Sequence, residues 1–466
     1  MAIQPWSNLL GFNLDALLSD LCSESSQTIS GTLCRAKSTP PMLTSEMRLF
    51  FFRLHELHRR GEKLAGRRFL AQKCDTNDKT VAGALKLLTE GKLLAVQHIY
   101  SNKGHKITQY EFTEKMNQSL QGKQGLICDM YWETIKKLCF PRDELRSRKK
   151  GGLSRSHRYL MSVLLYHADE CGAVYDLTMG SLATKAGLGV DRLRSQLRFL
   201  KNEKYLNECI IQPVRSHIFQ PGAAVIFINT RHSIFAKQTK NSLLKISSEM
   251  IAVANEACAG AALYYRANAL PYSKDNKFRG IMDCPYKPSR LFFKGHDYKS
   301  KTYERNRSKG NTANHNSTAH QVILNQNLPK DYLQAKLDQY ASWVLTNYRC
   351  ELPIHRSLDD LPGYKEIERK IFSDMFPNGS LDSPTDDQRA LVKCCIWEVY
   401  GMAKHLHSFL NQLPALTKEH YKLAIFPPPQ VNHKPRFTIE ICVYPEIPNQ
   451  ETNIIELNDD FSEWGD

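Results

Sequence analysis

Between Ser181 and Leu206 the sequence reads SLATKAGLGVDRLRSQLRFLKNEKYL, with Arg192, Arg194, Arg198, Lys201 and Lys204 on an amphipathic run. Cations at that density suit anion binding. A guanidinium is a planar fork of N–H donors that pairs bidentately with a phosphate or with the O6 and N7 edge of guanine. The bland alternative is a solvated helix face. A second cationic run, RSRKKGG, places Arg146, Arg148, Lys149 and Lys150 within five residues. That composition suits a linker following phosphates, and each phosphate neutralised steepens the salt dependence of affinity by nearly one log unit per log unit of salt.

The elements that would carry these groups follow from periodicity. In LTSEMRLFFFRLHELHRRGEKLAG, Met47, Phe50, Phe51, Leu54 and Leu57 recur at three- and four-residue spacing, which predicts a helix ending near Gly61. RRFLAQKCD predicts a second short helix, broken at DTND. DKTVAGALKLLTEGKLL restores the period through Val81, Leu85 and Leu88. AVQHIYSNKGHKITQYEFT then reads as a β-hairpin with a Gly-centred basic tip.

The same order returns downstream. SRSHRYLMSVLLYHADECG predicts the leading helix, SLATKAGL the second, GVDRLRSQLRFLKNEKYL the third, and NECIIQPVRSHIFQPGAAVIFINT the hairpin. At a constant offset of 112, Leu70 meets Leu182, Ala71 meets Ala183, Lys73 meets Lys185, Leu85 meets Leu197, Leu88 meets Leu200, Lys92 meets Lys204 and Leu94 meets Leu206. Val81 meets Leu193. The matches fall where a three-helix core would pack, so the chain reads as an internal duplication.

Both copies resemble winged helix-turn-helix domains of bacterial transcription regulators, over about residues 44–114 and 153–235. The tandem arrangement also resembles plasmid replication initiators built from two such domains. The resemblance implies that the start of each third helix enters a DNA major groove while each hairpin touches the backbone or minor groove. Groove-facing candidates are then Thr76, Asn77, Lys79 and Thr80 in the first copy, and Gly189, Asp191, Arg192, Arg194 and Ser195 in the second, with Arg198 on the same basic face. Arg192 and Arg194 suit guanine, and Asn77 suits adenine. Lys103 and Lys106 on one hairpin, and Arg215 and His217 on the other, are expected to touch phosphates without specifying sequence.

Other chemistries find less support. His405 and His407 match a two-histidine nuclease motif that belongs on a strand, where residues i and i+2 share a face; here the context is helical. No GxxxxGK[ST] phosphate loop occurs, and neither do GxSxG or HExxH. The thirteen cysteines form no CxxC pair, which predicts reduced thiols; adjacent Cys394 and Cys395 would diverge on a helix. No enzyme, metal or cofactor is expected. No window approaches the roughly 20 apolar residues of a membrane helix, and MAIQPWSNLLGFNLDALLSDL lacks a basic leader, so a cytoplasmic, nucleoid-associated protein without membrane attachment is expected.

Net charge is +15 and unevenly placed: residues 351–466 carry 11 Lys+Arg against 19 Asp+Glu, net −8, which leaves +23 on residues 1–350. The expected organisation is α+β, mainly helical with small hairpins. An N-terminal segment (1–43) precedes winged-helix domains at 44–120 and 153–246, joined by a connector (121–152). A helix, Ser247–Leu270, with a basic arm occupies 247–326, followed by a small helical domain (327–430) and an acidic tail (431–466). The expected partner is double-stranded DNA, read as two unequal half-sites in transcription regulation. Replication initiation and a protein-interaction scaffold with sequence-blind nucleic-acid binding are the alternatives, and the C-terminal helical part would dimerise or recruit another protein.

Overall fold

The computed structural model describes residues 43–100, 104–121, 131–140, 152–212, 219–235, 243–247, 330–352, 362–411, 421–426 and 438–443. Of the described residues 56% are helical, and the strands form three small antiparallel sheets, so the class is α+β. The chain divides into two compact units, Met1–Leu206 with Ile228–Ala236, and Asn207–Phe227 with Lys237–Asp466.

In the first unit α1 (Ser45–Arg59) starts where extended Thr44 accepts the Met47 N–H through its hydroxyl. Leu49, Phe50, Phe51, Phe52 and Leu54 are all buried, so this helix is covered nearly all round. It is followed by β1 (Leu64–Ala65), α2 (Arg67–Lys73), α3 (Asp78–Glu90), β2 (Leu94–Tyr100) and β3 (Lys106–Phe112). The sheet order is β1-β3-β2, with register running from Leu94 opposite Phe112 to Tyr100 opposite Lys106. Beyond α4 (Glu114–Gln121), the segment expected as a plain connector contains α5 (Trp132–Cys139), whose Ile135, Leu138 and Cys139 are fully buried.

The second series is α6 (Arg155–His167), capped by Ser154, then β4 (Ala173–Thr178), α7 (Met179–Ala186), α8 (Val190–Asn202), β5 (Leu206–Ile211) and β6 (Ala223–Ile228). Strands β5 and β6 belong, but for Leu206 and Ile228, to the second unit.

The repeat holds at the level of backbone hydrogen bonds. Thr76 N–H donates to Ala71 O as Leu188 does to Ala183 O, both at 2.9 Å. Leu93 N–H donates to Leu88 O as Tyr205 does to Leu200 O, both at 2.8 Å. Backbone shape repeats as well: Asp75 (φ 44) and Gly187 (φ 63) turn left-handed between the paired helices, and Lys92 (φ 52) and Lys204 (φ 61) do so after α3 and α8. Left-handed backbone is disfavoured for residues with a Cβ, so its return at two non-glycine lysines reflects a shared local fold.

The second unit holds β7 (Leu243–Ser247), α9 (Lys330–Tyr348), α10 (Tyr364–Met375), α11 (Asp386–Leu410), β8 (Tyr421–Phe426) and β9 (Thr438–Val443). Its sheet order is β7-β9-β8, so β8 is an edge. Helix α9 covers that edge: Thr346 and Ser342, one turn apart, accept the Leu423 and Ile425 N–H groups at 3.2 and 3.1 Å. Burial pushes the Asp338 carboxyl up to about 8, so it enters this core as a neutral acid and accepts from Gln334 Nε2 at 2.7 Å. Buried Lys336 instead pairs with Asp374 at 2.8 Å.

Two expectations change. The C-terminal region is not purely helical, since β8 lies within 327–430 and β9 within the expected acidic tail. Ser247, expected to open a helix, ends strand β7; the rest of that helix and the basic arm lie outside the described residues. The N-terminal segment through residue 42 lies outside them too. Among the described residues no helix is long and apolar enough to cross a membrane.

Two buried imidazoles make stability pH-dependent. Burial pushes both His55 and His167 from 6.5 down to about 4, and His55 Nδ1 and His167 Nε2 lie buried without a partner. The unfolded chain therefore binds more protons between pH 6.5 and about 4. Stability is full above that window and falls as pH drops through it, by up to about 1.4 kcal/mol per pH unit for each histidine. Urea denaturation at pH 7.5 and pH 5 is expected to show this loss, with a smaller loss in His55→Leu.

Candidate nucleic-acid interface

Helices α3 and α8 turn their apolar stripes inward. Val81, Leu85 and Leu88 in one, and Leu193, Leu197 and Leu200 in the other, are at most 3% exposed. The opposite faces are polar. On α3, Asn77 and Lys79 are exposed and Thr80 is half-buried. Asn77 also caps the helix, its Oδ1 accepting the Thr80 N–H at 2.7 Å, which leaves its amide NH2 as the group directed to a ligand. Thr76 buries its hydroxyl, which has no partner there.

On α8, Gly189, Asp191, Arg192, Ser195 and Arg198 are exposed and Arg194 is half-buried. Two of these arginines are already paired. Arg192 Nη2 meets Glu46 Oε1 of α1 at 2.8 Å, and Arg194 Nη1 meets Asp191 Oδ1 at 3.4 Å. Both pairs are solvent-accessible, so each holds its arginine by roughly 1 kcal/mol or less and yields readily to a phosphate or a guanine edge. Lys106 is exposed at the start of β3. Lys103, Arg146, Arg148, Lys149, Lys150, Arg215 and His217 lie outside the described residues.

What the periodicity did not reveal is how the two copies grip each other. Asp75, the left-handed residue of the α2–α3 turn, faces three guanidiniums. Arg53 Nη1 of α1 and Arg158 Nη2 of α6 each lie 3.5 Å from its Oδ2, and Arg155 Nη2 lies 3.5 Å from its Oδ1. Arg53 also donates to the carbonyls of Cys74 and Cys139. Burial lowers the pKa of both buried arginines, Arg158 to about 10, with Asp75 opposing the shift in each.

The other turn is held reciprocally. Ser45 Oγ donates to Ala186 O at 2.6 Å, Ser45 N–H to Gly187 O at 3.2 Å, and Arg48 Nη1 to Lys185 O at 3.3 Å. Arg48 and Arg158 occupy the same position of the two leading helices, at an offset of 110. The leading helix of each copy thus binds the turn of the other, the isologous pattern of a two-fold pair. Gly187 is required there: besides its positive φ, an added Cβ would collide with Leu43 O and approach Arg48 Nε and Ser45 N within 2.6 and 2.9 Å. The available signal was Arg53 inside LFFFRL, a charge on a helix face with no room for water.

His405 and His407 both fall in α11, where residues two apart point in different directions; His407 is buried and bonds with Asn411 at 2.9 Å. Among the described residues no three His, Cys, Asp or Glu side chains converge on a metal-binding point. Neither protein-family models nor curated proteins match this chain.

Removing the Asp75 charge strands two buried arginines. Asp75→Asn is expected to cost about 2–4 kcal/mol in urea denaturation, against under about 1 kcal/mol for Arg155→Ala at the rim. Glu46→Gln frees Arg192 and is expected to tighten duplex binding and steepen its log–log salt slope by about one; an unchanged slope would leave Arg192 out of the interface.

Proposed function

We propose that this chain is a sequence-specific double-stranded DNA-binding protein whose two repeats act as winged helix-turn-helix modules reading two unequal half-sites. The observation that carries the reading is the return, at the one offset of 112, of the same turn hydrogen bonds and of left-handed backbone at the same two positions. In both copies the third helix buries an apolar stripe and exposes polar and basic groups at its start. A helix with such a free face fits the roughly 12 Å major groove. The +23 balance of residues 1–350 supplies the sequence-independent attraction to phosphates.

The two reading surfaces differ, Asn77-Lys79-Thr80 against Asp191-Arg192-Arg194-Ser195. The target is therefore not a perfect palindrome. Because the copies hold each other reciprocally, their helices are related by an approximate two-fold, and the half-sites run in opposite directions, about 10 base pairs or a multiple apart. The biological output we favour is transcription regulation in a bacterial or mobile element.

The test is selection of bound duplexes from random and genomic fragments at about 150 mM salt, with the intact chain and an Arg192→Ala, Arg194→Ala double variant. A two-part site should emerge, with the variant losing preference in one half only. Its genomic position, over a promoter or in a repeated array beside an AT-rich segment, separates regulation from replication initiation. Equal, weak, salt-sensitive binding to all sequences would overturn the reading in favour of a scaffold.

A further inference from the structure

Strand β2 is the free edge of its sheet, and every residue after Leu94 is exposed. Among the described residues six large hydrophobic side chains are exposed, and three of them, Val96, Ile99 and Tyr100, lie on this one strand. Tyr100 is the extreme, at 73%. Its counterpart in the second hairpin, β5, offers a contrast, since its residues after Leu206 are half-buried.

The surroundings of Tyr100 define what could cover it. Lys106 is its cross-strand partner, and Ile99 faces Ile107. From Ala95 to Tyr110 the sequence contains two lysines and two histidines and no acid. The two lysines sit at the Tyr100 end of this hairpin, while the nearest acid, Glu111, lies at the far end and accepts from Gln97 at 3.0 Å. The partner that combines a flat apolar face with anionic flanks is a nucleobase beside its phosphates. A tyrosine ring is a surface on which an unstacked base can stack.

We propose that Tyr100 enters the groove beside the half-site read by α3 and stacks on a base, opening one base step and bending the duplex, while Lys106, its cross-strand neighbour, pairs with the adjacent phosphate. This rests on the DNA-binding reading above and gives the first hairpin a deforming role that the second does not share. Deformation makes the flanking sequence matter without hydrogen bonds to it: pyrimidine–purine steps, which unstack most easily, are favoured there.

The test uses the full chain with its selected duplex carrying 2-aminopurine at successive flanking positions. Wild type and Tyr100→Phe, which keeps the ring, should raise the fluorescence at one flanking position several-fold. Tyr100→Ala should abolish that rise and weaken binding on the order of tenfold to a hundredfold, while the half-site preference set by α3 and α8 is retained. Selective binding by wild type without a fluorescence rise, or a rise that survives Tyr100→Ala, overturns the stacking role alone. A wild type that selects no duplex overturns the DNA-binding reading first. A change of oligomeric state in Tyr100→Ala by sedimentation would assign the strand to self-association instead.

Discussion

One carboxylate, that of Asp75, stands between three guanidiniums from two helices, and the relation between the repeats depends on it. The chain's turn from α2 into α3 needs a left-handed residue, and aspartate tolerates that backbone better than most while carrying a charge. Arg53 and Arg158 are nearly fully buried, which is costly for a cation unless an anion lies close by. The Asp75 carboxylate is the anion shared by the two buried arginines, with Arg155 more exposed at the rim. It therefore fixes α1, the first turn and α6 relative to one another.

The opposite turn solves the same problem without a carboxylate. Gly187 brings its carbonyl against Ser45, and Arg48 uses backbone oxygens where Arg158 uses Asp75. Hydrogen bonds to carbonyls tolerate burial because neither turn nor helix end is left with orphan groups. The two halves of the interface are thus equivalent in position and different in chemistry, as are the two helices they present. Under the proposed DNA-reading role, helices held in this way would lose little freedom on binding, so contact energy would go into affinity and discrimination.

Much of this was legible in the sequence, and the physical reason differs by element. The helices α1 to α3 and α6 to α8 were readable because their buried stripes repeat every three to four residues, and the offset of 112 aligned Lys92 with Lys204 before their shared left-handed backbone was visible. Strand β1 is two residues long, too short for any period. Strand β7 lies far from β9 in the chain and owes its pairing to non-local contacts that no window contains. The grip between copies was illegible because arginine on a helix normally reads as solvated. Only the packing of Phe50, Phe51 and Phe52 around α1 leaves Arg53 no route to water. Of the candidate interface, the exposed groups on α3 and α8 were identified by type, and their present partners, Glu46 and Asp191, were not.

The two repeats, held as one two-fold-like body, are proposed to read duplex DNA together. The measurement that tests this most directly is the affinity of the intact chain for two duplexes carrying the same pair of half-sites at the same spacing, one inverted and one in direct repeat. The account predicts that the inverted arrangement binds at least about tenfold more tightly, a difference of about 1.4 kcal/mol. Equal affinity for both would mean that the repeats are not held in the reciprocal arrangement that Asp75 and Gly187 maintain, or that they do not read DNA together.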